Sequence, residues 1–174
     1  MGADAAAANS QQWRILSSGP KVFRKAGWLF GFTSSFRMGQ LIQHQLVMPA
    51  ADYTDLPRWL ATDFVAALRD LFSVAGYAKK ENNVEEGGQF LLAPDGFARL
   101  FSVESDYHIM EHTGRGYAAC GCGQDFALGS LHTSAMINLS LAEARVKKAL
   151  EAAAEFSAYV RPPWTILHTR DIGK

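Results

Sequence analysis

His108, Glu111 and His112 stand in the order H-x-x-E-H. On a helix that spacing puts two histidines one turn apart around a metal, with the glutamate placed to activate water. The flanks here, FSVESDY and TGRGYAACG, read as strand and turn instead. On a strand the two histidines share a face but lie about 13 Å apart along it, too far to hold one ion unaided. Zinc chemistry is therefore not expected. Cys120 and Cys122 are one residue apart, a poor pair for a structural disulfide, and no histidine pair stands near enough to complete a zinc knuckle. Gly114-x-Gly116 lacks the strand-then-helix setting of a phosphate loop. Read alone, Lys21 is a surface lysine on a strand and Asp4 a turn residue. Their chemistry depends on what the fold brings to them.

The elements that would do so follow from periodicity. KVFRKAGWLFGFTSS reads as two short strands with a turn at Lys25-Ala26-Gly27. FRMGQLIQHQL places Met38, Leu41, Ile42 and Leu46 at helical spacing, and Pro49 follows. A second helix runs through DLPRWLATDFVAALRDLFSVAG, with Asp55 as cap, Pro57 in the first turn and Gly76 at the end. KKENNVEEGG reads as a charged loop. Strands return on either side of Pro94-Asp95-Gly96, then in DYHIMEH and GYAACG. From Gln124 two helices are expected, the second opened by Ser140 and Glu143 as a capping box and carrying an Ala149, Ala152, Ala153 stripe for close helix packing. RPPWTILHT is a final strand. Helices clustered between blocks of antiparallel strands predict an α+β layered sandwich with helices outside.

Composition sets the outer bounds. At 174 residues and 48% apolar, the chain suits one domain with a real core. Seventeen basic residues balance seventeen acidic ones, so no net field points to nucleic acid or a membrane surface. No apolar run is long enough to span a bilayer, and no secretory signal is visible. Free cysteines fit a cytoplasmic protein.

Several pieces together resemble the proteasome β-subunit family, and within it the HslV-type peptidases: MGAD at the start, KVFR, WLFGFTSS entering a helix, the APDG hairpin, CGCGQDFALGS entering a helix, and KALEAAAEFSAY before the last strand. The resemblance covers nearly the whole chain and rests on the order and spacing of these pieces. It implies an N-terminal-nucleophile hydrolase fold, an αββα sandwich of two antiparallel sheets with helix layers outside.

It also implies a threonine-type endopeptidase. In such enzymes the hydroxyl of an N-terminal threonine attacks the peptide carbonyl, a lysine ammonium lowers the pKa of the amine beside it, an aspartate holds the lysine, and backbone amides stabilise the oxyanion. Carried over by position, Asp4 matches the aspartate and Lys21 the lysine. Ser34 falls where an oxyanion-hole glycine is usual, Cys122 where a serine is usual, and Glu155 near an acidic position late in the second helix pair. Ser157 lies close enough in register to assist. The cysteine at 122 read alone is a buried strand-end thiol. The carbonyls of Ala154, Ser157 and Val160 match a monovalent-cation site; no cofactor is required for the chemistry itself.

In the family GAD lies in the second strand, so the threonine-bearing strand is expected about a dozen residues upstream of it. On this reading residues 1–174 are a single proteasome-like domain that is N-terminally incomplete, Met1 matches a strand residue, and the nucleophile is missing. The implied setting is a homo-oligomeric ring, cytoplasmic, degrading unfolded polypeptide beside an ATP-dependent unfoldase, with no nucleic acid and no membrane. The alternative is a non-catalytic proteasome-like shell protein. Trp59, Leu60, Phe64, Val65, Leu68, Leu71 and Phe72 look too numerous for one buried stripe, so part of the first helix pair is expected to meet neighbouring subunits.

Overall fold

The computed structural model describes residues 1–8, 13–15, 19–81, 84–114, 116–137 and 141–170. Its centre is a five-stranded antiparallel sheet in the spatial order Ile109–Glu111, Phe101–Val103, Phe90–Pro94, Trp28–Phe32, Val22–Lys25. The strands are β4 (Val22–Lys25), β5 (Trp28–Phe32), β8 (Phe90–Pro94), β9 (Phe101–Val103) and β10 (Ile109–Glu111). β4 and β5 turn at Ala26 and Gly27, whose φ angles of 47° and 78° give the left-handed pair that suits a two-residue hairpin. β5 lies between β4 and β8 and is buried along its whole length. Its side chains alternate: Trp28, Phe30 and Phe32 enter the main apolar core, while Leu29 and Gly31 face the other way.

Helices cover the first face. These are α1 (Phe36–His44), α2 (Leu56–Trp59), a π-helical segment Leu60–Phe64, and α3 (Val65–Val74), the last three continuous. The Asp55 carboxylate caps α2 by accepting from the Arg58 N–H, and Gly76 follows α3 at φ 62°. Leu56, Leu60, Phe64, Leu68 and Phe72 are all 0% exposed. On a straight α-helix a row with four-residue steps drifts about 40° per step. The wider π turn takes back part of that drift and keeps the row on the sheet. This corrects the expectation of spare apolar surface on the first helix pair: Trp59, Leu60, Phe64, Leu68 and Phe72 belong to the protein's own core, with Val65 and Leu71 packed against it.

The second layer is thinner. β1 (Gly2–Ala3) pairs antiparallel with β11 (Thr165–Ile166), and the ladder extends through Met1 and Leu167, which exchange hydrogen bonds. α4 (Gln124–Met136) and α5 (Ala142–Phe156) lie outside it. A Cβ at Gly2 would fall 2.5 Å from Val146 and one at Gly31 would fall 2.5 Å from Met1. β1 is thus sandwiched between α5 and the five-stranded sheet. The layers run helix, sheet, sheet, helix, as expected. Ala149 and Ala153 of the alanine stripe are buried. Of the expected capping box, Ser140 lies outside the described residues, and Glu143 bonds His168 at 3.2 Å.

Two expectations fail locally. KKENNVEEGG is a hairpin of β6 (Lys79–Glu81) and β7 (Val84–Glu86), with Lys79 opposite Glu86 and Lys80 opposite Glu85. The strands lack the apolar alternation that would have marked them, and Glu85 is held from α3 by Arg69, whose Nε donates to it at 3.0 Å. GYAACG forms no strand; its backbone borders a cavity rather than a neighbouring strand. A further small hairpin joins β2 (Ala6–Ala8) and β3 (Trp13–Ile15). Among the described residues no helix is long and apolar enough to cross a membrane.

Candidate active site

Asp4 follows β1 directly, and Lys21 directly precedes β4. The two sheets bring them together. Lys21 Nζ donates to Asp4 Oδ1 at 2.8 Å, and the side chains are only 14% and 13% exposed. The other carboxylate oxygen, Oδ2, accepts from the Ala6 N–H at 2.8 Å. The Lys21 carbonyl accepts from the Phe32 N–H at 3.0 Å, and its ammonium stands 5.7 Å from the Phe36 ring centre. Lys21 is therefore fixed at both ends, and Asp4 has a partner on each oxygen.

The pair lines a cavity of about 280 Å³ between the two sheets. Met1, Gly2, Ala3, Thr33, Cys120 and Cys122 share its wall. Two stretches of backbone meet there without strand partners. The side of β1 turned away from β11 is unpaired among the described residues, and residues 117–120 run past as irregular chain. A polar backbone edge left open beside apolar walls is costly unless something pairs with it.

Cys122 lies at the cavity but is exposed, in the turn before α4, which corrects the reading of a buried strand-end thiol. Its Sγ is 3.9 Å from the Ser157 hydroxyl. Cys120, read from the sequence only as a poor disulfide partner, also lines the cavity. Burial, with Glu104 adding to it and Lys21 opposing, pushes its thiol up to about 12, so it is no nucleophile near neutral pH. Ser34 adjoins the cavity-lining Thr33 but is itself exposed and off the lining. Its φ of 68° is the left-handed region that favours glycine, the residue usual at this place in the resembled family. Glu155 sits on the exposed face of α5, so the structure does not bring it to the Asp4–Lys21 pair.

Ala154, Ser157 and Val160 do converge, but on Arg161. Its Nη1 donates to their three carbonyls at 2.7, 2.9 and 2.8 Å. A free cation and this guanidinium cannot share one space, so the residues present do not fit a bound monovalent ion. No sequence pattern announced Arg161, because the acceptors are backbone groups. The H-x-x-E-H stretch lies on β10 and its flanks. Arg99 grips Glu111 through two hydrogen bonds of 2.6 and 2.7 Å and holds its carboxyl below the ordinary value, and His112 meets Ser102.

Replacing Ser34 by glycine tests the left-handed position. Relief of the side-chain strain, about 1–2 kcal/mol, is set against the extra freedom glycine gives the unfolded chain, about 0.5–1 kcal/mol. A rise in melting temperature of about 1–3 °C is expected for Ser34→Gly. A fall would mean that the hydroxyl makes a contact worth more than the strain.

Comparison with solved structures decides the fold. BPH from Thiobacillus denitrificans superposes with a TM-score of 0.76 at 17% identity, covering 94% of this chain and 88% of that one. HslV from Trypanosoma brucei gives 0.64 at 15%, with the same coverage. The fold is that of HslV and its proteasome-like relatives. Anbu from Pseudomonas aeruginosa, solved as a helical assembly, gives 0.61 at 13%, over 98% of this chain and 77% of that one. No protein-family model matches the sequence, and no curated protein does. The HslV-like fold is thus carried by layer order and strand pairing, while the sequence is only 13–17% identical to these neighbours. It accounts for the αββα layers and for the meeting of Asp4 with Lys21 across them.

Proposed function

We propose that this chain is the subunit of a proteasome-like threonine-type peptidase that degrades unfolded polypeptide inside a cytoplasmic homo-oligomeric compartment fed by an ATP-dependent unfoldase. The observation that carries the reading is the Lys21–Asp4 ion pair on the wall of a cavity beside the open edge of β1. A further strand pairing with that edge would set its first residue near the lysine. The nucleophile of this proposal is a threonine on such a strand, encoded upstream of Met1. BPH, the neighbour with the higher TM-scores, was solved in complex with epoxomicin, which makes that compound a probe of the same site here.

The test compares two polypeptides on small peptide amides. Residues 1–174 alone are expected to show no turnover; the chain lengthened by its in-frame upstream segment is expected to turn over and to bind epoxomicin. Turnover by residues 1–174 that survives loss of Lys21, or an in-frame stop codon immediately before Met1, removes the proposal. The second reading, a non-catalytic shell, is favoured by serine in place of glycine at position 34. The stop codon is its signature.

Assembly has a different surface from the one the sequence suggested. Phe126, Met136, Ile137 and Phe156 are 42–74% exposed on and just beyond α4 and α5, and the Phe126 and Phe156 rings stand 5.3 Å apart. A second copy of this chain is the proposed partner of that patch, in keeping with the helical assembly described for Anbu. Phe126→Glu with Phe156→Glu is expected to leave a folded species of 19.1 kDa in light scattering where the unaltered chain gives a multiple of it. An unaltered chain that is itself monomeric at micromolar concentration removes the compartment.

A further inference from the structure

The C-terminal end of α5 is the negative end of a 15-residue helix, and its last carbonyls have no partners within the helix. Three carbonyls meet there. Ala154 belongs to the last turn, Ser157 is the C-cap, and Val160 follows in the loop. All three point at one nitrogen, Nη1 of Arg161, between 2.7 and 2.9 Å away. That nitrogen has two hydrogens for three acceptors. The arrangement is a cage of partial negative charge around a single positive centre, rather than a set of directed pairs.

We propose that Arg161 is a built-in cation: its guanidinium fills the carbonyl cage at the end of α5 and makes the cavity's rear wall independent of any free monovalent ion. The wall depends on this loop at several points. The Arg161 carbonyl accepts from the Ala5 N–H at 3.2 Å, one residue from Asp4. The Val160 side chain leaves a Cβ at Gly123 only 2.7 Å of clearance at the start of α4. The Ser157 hydroxyl reaches Cys122. One guanidinium therefore sets the loop that holds both the Asp4 strand and the 120–123 turn. Arg161 is a positioning residue; it is not among the residues lining the cavity.

The proposal does not require the peptidase reading, and it is tested on residues 1–174 by thermal unfolding in potassium, sodium or choline chloride at equal ionic strength. The unaltered chain is expected to melt at the same temperature in all three salts. Arg161→Ala empties the carbonyl cage of its guanidinium and is expected to melt about 5 °C lower or more in choline. Potassium, sodium or millimolar methylguanidinium should restore a saturable part of that loss. Amide exchange at Ala5 should quicken in Arg161→Ala in choline and slow again when the cation is supplied, a change that lost side-chain packing would not reverse. Arg161→Lys, which keeps a point charge, should stay largely salt-independent. If Arg161→Ala does not fold, the unaltered chain and Arg161→Lys still decide. A melting temperature of the unaltered chain that rises in potassium or sodium over choline overturns the proposal, as does an Arg161→Ala chain that loses no stability or loses it without ion-specific rescue.

Discussion

On the proposed peptidase reading, with the chain lengthened by the strand proposed to precede Met1, Lys21→Ala is expected to lower peptide-amide hydrolysis by at least about 100-fold, the usual cost of a general-base defect. The ammonium sits 2.8 Å from Asp4 Oδ1 in a partly buried pair, so its charge acts on the cavity through a medium less screening than water. A nucleophile's amine placed beside it stays unprotonated because a second positive charge there is unfavourable. Alanine removes that field. Some stability is lost with the ion pair, because Asp4 keeps only the Ala6 N–H, but the strand pairing of β4 does not involve the lysine side chain. The two effects separate in the kinetics. Loss of the field lowers kcat and shifts the acidic limb of the pH–rate profile upward, whereas loosened packing would lower the melting temperature with the profile unmoved. Asp4→Asn should move kcat in the same direction and less, since the lysine charge remains. A Lys21→Ala enzyme that keeps most of its activity would show that positional resemblance misassigned the pair.

What could be read from the sequence was what local chemistry signals. The turn at Ala26-Gly27 needed left-handed backbone, Asp55 and Gly76 bounded a helix by capping and termination, and Pro94-Asp95-Gly96 marked a strand end. These are short-range devices and survive in any context. What was not legible depends on partners distant in the chain. β6 and β7 carry charge on both strands, and their pairing appears only when Lys79 is set against Glu86 and Lys80 against Glu85. GYAACG has strand composition, but composition cannot supply a neighbouring strand. The apolar residues on α2 and α3 are too numerous for one stripe of a regular helix, and the sequence does not signal the π segment that turns them inward. At the site, Asp4 and Lys21 were found through resemblance, since neither is distinctive alone. Arg161 escaped because its partners are carbonyls, which every residue has.

A large loss of stability is expected from Asp95→Ala. Asp95 is 5% exposed, at the end of β8, and it receives the Arg24 guanidinium from β4 and the Arg170 N–H, at 2.8 Å, from the chain beyond β11. Arg24 also donates to the His168 carbonyl, and the Gly96 N–H donates to the Arg170 carbonyl at 2.8 Å. One carboxylate thus fastens the last strand's extension to the end of the five-stranded sheet. Breaking a fully buried pair costs about 3–5 kcal/mol by leaving the other charge unpaired. Arg24 is 23% exposed and regains some water, which brings the expectation to about 2–3 kcal/mol in urea unfolding. The pH dependence gives an independent check. Burial alone would raise the Asp95 carboxyl, but the Arg24 and Arg170 hydrogen bonds overcome it and hold the group below its ordinary value. A carboxyl depressed by folding contributes its full stability above its unfolded value of about 3.9, and loses it as the pH falls through the lower folded value. The stability gap between the unaltered chain and Asp95→Asn should therefore be constant from about pH 5 to neutrality and close only below about pH 4. A gap that widened on acidification would mean that the carboxylate is a burden in the folded chain, and that the Arg24 contact only partly offsets it.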